Sequence, residues 1–245
     1  MNITDSSFQI RAPRNLPENE VQLWRVDLEA IRGDQSRWEE VLSLDEKERA
    51  SRFHFSKDRQ LFIASRALLR RILAAYLNAN PSEFNFSYSK TAKPSLAGEH
   101  ASSRMTFNVS HSGGIALYAF SLRRELGVDV EQVRQDFDVE PIAQRFFSAR
   151  EREQLAALPK REIVDAFFRC WTRKEAYIKA TGDGLSLPLS QFDVSLESSE
   201  TSVLVATRPD TTEAERWFLR EVPAGAGYSA ALCVRGRGWH LKHWF

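Results

Sequence analysis

Residues 107–131 begin with Phe107-Asn108-Val109-Ser110-His111-Ser112-Gly113-Gly114 and continue through IALYAFSL to a charged turn at Arg123-Arg124-Glu125. After Leu126 they close on Gly127-Val128-Asp129-Val130-Glu131. Three β-rich runs, 107–110, 115–122 and 127–131, are joined by turns of a few residues, which predicts an antiparallel meander. In the last run Asp129 and Glu131 are two apart. Side chains two apart on a strand share one face, about 7 Å along the chain, while Val128 and Val130 face the other way into apolar packing.

Outward from this stretch the period changes. Over residues 44–78, Leu61, Leu68, Leu69, Ile72, Leu73 and Tyr76 recur at spacings of three and four, which predicts a helical region ended by Asn78 and Pro81. Residues 21–28 alternate and read as a first strand. Phe84–Ser89 read as another, and 90–103 as a polar loop containing Pro94 and Gly98. Beyond the meander, Ser148-Ala149-Arg150-Glu151 is a capping-box signal. A second long helix runs from about Ile163 to Ala180 and stops at Thr181-Gly182. Alternation then returns over 192–196, 202–207, 217–222, 228–234 and 239–244. Residues 1–20, punctuated by Pro13, Asn15, Pro17 and Asn19, read as an arm. The segments starting at Arg52-Phe53 and Arg145-Phe146 echo each other, each leading into an apolar, basic helix. We therefore divide the chain into a first half, 1–123, and a second half, 124–245, with a ligand cleft expected where they meet.

Composition narrows the function classes. With 245 residues, 42% of them hydrophobic, and sixteen Phe and six Trp, the chain can build a sizeable core. A net charge of +1 excludes a global polyanion binder, so attraction for phosphate must come from local clusters. Cys170 and Cys233 lie in apolar segments without a CxxC partner, which fits buried thiols in a reducing compartment. The start MNITDSSFQIRAPRN lacks a basic stretch followed by an apolar run, and no stretch of about 18 apolar residues occurs. The expectation is a cytoplasmic protein that acts on neither membrane nor nucleic acid.

Four segments carry candidate chemistry. Asp129 and Glu131 on one strand face repel each other unless solvated or bridged, and oxygen ligands suit Mg²⁺ or Mn²⁺. A solvent-facing strand end has the same pattern. Glu175 and Lys179 stand one turn apart on one helix face, as does many a structural ion pair. The run from Asn108 through Ser110 and His111 to the two glycines lets backbone N–H groups approach a ligand, although it lacks the ending of a Walker loop. Arg66, Lys90 and Lys93 are basic residues of the kind that hold phosphate and, taken singly, of the kind that coats a surface.

Together and in this order, FNVSHSGG, GVDVE, RFFSARE and WTRKEAYIKATGDGLSLPL resemble the Sfp-type phosphopantetheinyl transferase family. The Lys93-Pro94 dipeptide is similar to the family's coenzyme A loop, though YSKTAKP lacks the glycine often found before the lysine. The resemblance covers about residues 45–195. It implies an α+β fold of two similar α/β halves related by a pseudo-twofold axis, each an antiparallel sheet packed with helices. It also implies transfer of the 4′-phosphopantetheine group from coenzyme A to a serine of an acyl or peptidyl carrier protein of acidic character, releasing adenosine 3′,5′-bisphosphate. Asp129, Glu131 and Glu175 are implied as metal ligands, with Glu175, Lys179 and Asp129 at the reacting phosphate. Arg66, Lys90, Lys93, Pro94, Asn108, Ser110, His111 and Lys179 are implied as coenzyme A contacts. Phe146 and Phe147, flanked by Arg145, Arg150 and Arg152, are implied as a carrier-facing surface. The same three acids would also serve a metal-dependent coenzyme A or nucleotide pyrophosphate hydrolase, and the fold a carrier-binding module without turnover.

Overall fold

The fifth strand, β5 (Ile115–Leu122), explains the layering of the first half. Ala116, Tyr118 and Phe120 point to one core, whereas Ile115, Leu117 and Ala119 point to another. This is the two-residue alternation of a strand buried on both faces. The computed structural model describes residues 16–31, 35–198 and 204–245. The expected arm over 1–15 and the start of the expected strand at Ser202 and Val203 lie outside them.

In the first half, β1 (Glu20–Asp27) is followed by a short α1 (Gln35–Glu39), α2 (Leu44–Ser51) and α3 (Ser56–Leu77). A ribbon, β2 (Asn85–Tyr88) with β3 (Pro94–Ala97), precedes β4 (Met105–Ser112) and β5. The helical pattern of 44–78 is thus two helices, broken at Arg52 and restarted from the extended Phe55. The expected polar loop of 90–103 holds β3 and a 3₁₀ turn at Gly98–Ser103. In the second half, β6 (Leu126–Gln132) is followed by α4 (Glu140–Phe146), α5 (Ala149–Ala156) and α6 (Lys160–Thr181). The ribbon β7 (Phe192–Val194) with β8 (Leu204–Thr207) then leads to β9 (Trp217–Glu221) and β10 (Tyr228–Arg235).

The main sheets have orders β11-β1-β5-β4 and β6-β10-β9, β11 being His240–Trp244. Each half runs strand, capped helix, long helix, ribbon, then a hairpin returning to its first strand. The two-half α+β fold is therefore built on a repeated topology. The meander expected over 107–131 is corrected: β4 and β5 pair, but β6 leaves them and pairs with β10. The reversal follows Arg123, which takes a left-handed φ of 61°. The final strand crosses back and lies parallel to β1, with Trp244 stacked on Trp24 at 5.1 Å.

Inside each half the same buried ion pair ties helix to helix. Ser43 and Glu46 form the capping box of α2, and Glu46 accepts from Arg70 of α3 at 2.7 Å. Arg70 also donates to the carbonyls of Pro81 and Phe84. In the second half Ser148 and Glu151 cap α5, and Glu151 pairs with Lys174 of α6 at 2.8 Å. Lys174 donates to the carbonyls of Leu189 and Phe192. All four charged side chains are at most 2% exposed, so each pair is tolerable only because its remaining donors find carbonyls. This repeat corrects the register of the sequence echo. Ser43–Glu46 corresponds to Ser148–Glu151, whereas Arg52-Phe53 follows its capped helix and Arg145-Phe146 precedes its own.

Between the sheets lies a third core of Val21, Leu23, Leu117, Val128, Val130 and Leu232 among others. Burying Val128 and Val130 there turns Asp129 and Glu131 toward α6. Gly127 lets the helix come close: a Cβ at this position would lie 2.2 Å from the Ala176 carbonyl oxygen and 2.4 Å from the Ala180 nitrogen. Among the described residues no helix is long and apolar enough to cross a membrane. Gly127→Ala should destabilise the protein by up to about 3 kcal/mol, because the atoms it meets are backbone and cannot rotate away. Chemical denaturation checks this, and an unchanged midpoint would contradict the close packing of α6 on β6.

Candidate active site

β6 uses one edge to pair with β10. Its other edge faces β4, which offers side chains instead of a backbone ladder. Asn108, Ser110 and Ser112 alternate along β4 and so share a face. Asn108 Oδ1 accepts from Val128 N at 2.9 Å, Ser110 Oγ from Val130 N at 3.4 Å, and Ser112 Oγ from Gln132 N at 3.1 Å. The two hydroxyls then donate onward. Ser110 Oγ bonds Asp129 Oδ1 at 2.8 Å, and Ser112 Oγ bonds Glu131 Oε2 at 2.7 Å.

Helix α6 closes the site. Lys179 Nζ lies 2.6 Å from Asp129 Oδ1 and 3.1 Å from Ser110 Oγ. Glu175, one turn earlier, feels both strand acids. Burial first, then repulsion from Asp129 and Glu131, raises its pKa to about 7 despite the Lys179 charge. Burial also raises Glu131, partly offset by the Ser112 hydrogen bond and reinforced by Asp129. Three carboxylates therefore crowd one cleft with one lysine among them.

The donor set suits a hard divalent cation. Asp129 is 3% exposed, and its Oδ2 is buried with no hydrogen-bond partner. Such an orphaned oxygen is costly unless something positive completes it. Glu175 likewise accepts no hydrogen bond among the described residues. No three His, Cys, Asp or Glu side chains among the described residues stand as a ready-made metal cluster. The cation bonded to Asp129 is Lys179. The fit thus rests on all-oxygen chemistry and on the unsatisfied Oδ2.

The remaining sequence candidates are spread around this centre. His111, on the opposite face of β4 from the two serines, is open at the mouth of the cleft. Desolvation of its ring by the groups packed around it, then the charges of Lys179 and Arg49, lower its pKa from the ordinary imidazole value. Arg66 borders a pocket of about 570 Å³ in the first half with Arg49, Arg52, Phe62 and Tyr88. It is itself held by Glu46 at 2.7 Å and by the Tyr88 hydroxyl at 2.8 Å. Lys90 is exposed in the turn of the β2–β3 ribbon, and Pro94 opens β3. Lys93 points elsewhere, its ammonium meeting the carbonyls of Leu126, Lys179 and Ala180 at 3.0, 2.6 and 3.4 Å. Next to it Thr91 donates to the Gly182 carbonyl at 3.0 Å. This loop therefore clamps the first half onto the end of α6. Ala92 supplies the left-handed turn, φ 60°, at the position where a glycine was missing from the sequence pattern.

At the other end of the second half, Phe147 is core: it is 2% exposed and stacks on Phe167 at 5.2 Å. This corrects its expected place on a carrier-facing surface. Phe146 stays half-buried against Trp171, with the exposed Arg145 over its ring. Residue reading missed Ser112 and the pocket arginines Arg49 and Arg52. The polar alternation 108, 110, 112 was the available signal for the serine.

Residues 125–233 match the family model described as the 4′-phosphopantetheinyl transferase superfamily, and residues 30–122 match 4′-phosphopantetheinyl transferase, N-terminal. The 4′-phosphopantetheinyl transferase HetI of a Nostoc species is 39% identical over 234 residues, 95% of each chain. The 4′-phosphopantetheinyl transferase Sfp of Bacillus subtilis is 31% identical over 205 residues, 82% of this chain and 85% of its own.

The raised pKa of Glu175 makes a stability prediction. Its carboxyl ionises less readily folded than unfolded, so its contribution is fully present below its ordinary value of 4.5 and is lost as pH rises through about 7. In metal-free protein, the stability of the wild type relative to Glu175→Gln should fall across that window. Denaturant melts at several pH values check it, and a difference independent of pH would contradict the acid cluster.

Proposed function

Because the chain belongs to the 4′-phosphopantetheinyl transferase superfamily, we propose that Asp129, Glu131 and Glu175 hold a divalent cation at the reacting diphosphate of coenzyme A, with Lys179 beside it. The enzyme uses coenzyme A as substrate and transfers its 4′-phosphopantetheine group to a carrier protein. The observation that carries the site assignment is the buried, unpartnered Oδ2 of Asp129 among two further acids that resist ionisation.

In this reading a carrier serine hydroxyl attacks the phosphorus that bears the pantetheine arm. A new P–O bond forms, the pyrophosphate P–O bond breaks, and adenosine 3′,5′-bisphosphate leaves with the bonding pair. Phosphoryl transfer of this kind needs alignment and charge neutralisation more than covalent help. Mg²⁺, or Mn²⁺ in its place, supplies that neutralisation at the diphosphate oxygens when bound. Lys179 adds an ammonium already ordered by Asp129 and Ser110, so little reorganisation is needed to stabilise charge on the leaving group. Glu175 takes the serine proton, directly or through a water, by virtue of its position beside Asp129 and Glu131 and not of its basicity, since a bound cation would favour its ionised form and leave it a weak base.

The nucleotide end belongs to the basic pocket. Arg49, Arg52 and Arg66 line it, Lys90 lies in the ribbon turn between the pocket-lining Tyr88 and Ala92, and His111 offers a hydrogen bond beside Ser110. Lys93, Pro94 and Asn108 serve this end by shaping the backbone around it. The acceptor is an acidic carrier approaching the exposed Arg145 and Arg150, with Phe146 as the apolar contact.

Incubation with coenzyme A, Mg²⁺ and an unmodified carrier should add ~340 Da to the carrier in mass spectrometry, the mass of the arm. Asp129→Ala and Glu175→Ala should each slow this gain by about 10²–10³ or more while the variants stay folded. Neutralising Arg145 and Arg150 should weaken the salt dependence of the rate. Full activity of either acid variant, or consumption of coenzyme A without mass gain, would overturn the assignment.

A further inference from the structure

Two acids on β6 meet two hydroxyls on β4, and each contact uses only one oxygen of the acid. Ser110 occupies Asp129 Oδ1 and leaves Oδ2 unbonded; Ser112 occupies Glu131 Oε2. The matching spacing of two residues on both strands makes the pairs equivalent. Ser110 already stands in the site through Lys179. Ser112 has no such contact, is only half-buried, and was assigned no role by the sequence motifs.

We propose that Ser112 is a positioning residue for metal binding, which locks the Glu131 carboxylate so that its other oxygen faces the cation. This inference rests on the metal reading given above. Ser112 Oγ is itself fixed, because it accepts from Gln132 N at 3.1 Å while donating to Glu131 at 2.7 Å. The hydroxyl hydrogen is thereby committed to the carboxylate. A glutamate without this contact has three rotatable bonds to order when the cation arrives. With it, much of that ordering is done by folding. The Gly113-Gly114 turn that follows anchors the hydroxyl, since Gly114 N donates to the Tyr228 hydroxyl of β10 at 3.3 Å and ties the end of β4 to the sheet containing β6.

The test is calorimetric titration of Mg²⁺ into the full-length protein without coenzyme A, with Mn²⁺ titrated in parallel. Ser112→Ala should weaken binding by about 10–100-fold, the effect typical of removing a partner of a metal ligand. Its transfer rate should recover at high Mg²⁺, with KM for coenzyme A unchanged. Ser112→Thr, which keeps the hydroxyl, should restore wild-type affinity. If Ser112→Ala is too unstable to titrate, Ser112→Cys, with a weaker donor of similar size, should fall between Ala and wild type. Asp129→Asn separates the two readings. If it abolishes binding while Ser112→Ala binds as tightly as wild type, the positioning role is wrong and the metal site stands. If wild type and Asp129→Asn bind the ion alike, the metal site itself is wrong and the inference falls with it.

Discussion

The backbone edge of β6 faces side chains where a sheet would normally supply a strand. A buried N–H without a partner costs about 1–3 kcal/mol, and three such groups lie along this edge. Asn108, Ser110 and Ser112 satisfy them, and in doing so fix the distance and register between the two halves. Everything in the site depends on that contact. It places Asp129 and Glu131 in the cleft, supplies their hydroxyl partners, and leaves room on the far side for α6. The first half meets the same problem differently: β11 returns from the end of the chain to cover the free edge of β1.

The repeat of topology shows which parts belong to folding and which to chemistry. Both halves keep a capped helix, a buried acid and a buried base whose donors reach loop carbonyls. The residue after the buried base differs: it is Arg71 in α3 and Glu175 in α6. Arg71 meets the Arg37 carbonyl and the Trp38 ring and does not line the pocket of Arg49, Arg52 and Arg66, whereas Glu175 joins Asp129 and Glu131 in the acidic cluster. The loop carrying Thr91 and Lys93 joins the two halves, because its donors end on the carbonyls of α6 and β6. Lysine at a helix C-terminus also meets the negative end of the helix dipole, which favours its charge there.

Much of this was legible in the residues. The Ser148–Glu151 capping box, the stop of α6 at Gly182 and the alternation of β5 are local patterns, and local patterns survive in sequence. The pairing of β6 was not legible. Short turns predict hairpins, and nothing local shows that Leu126 begins a second sheet instead of extending the first. Lys93 read as a phosphate ligand because its charge is visible in the sequence and its carbonyl partners, far along the chain, are not. Phe147 read as surface because a Phe-Phe pair does not declare which ring is buried. The shared faces of Asp129 with Glu131 and of Glu175 with Lys179 were legible, since a two-residue spacing on a strand and a four-residue spacing on a helix each imply one face.

The claim that β4 side chains hold the free edge of β6 can be measured by amide hydrogen exchange on wild type and Asn108→Ala. The Val128 amide should be protected in the wild type and should exchange about tenfold faster or more in the variant, the loss expected for one hydrogen bond, while Val130 and Gln132 change little. If Val128 exchanges equally in both proteins, Asn108 does not hold it, and the account of how the two halves assemble the site is contradicted.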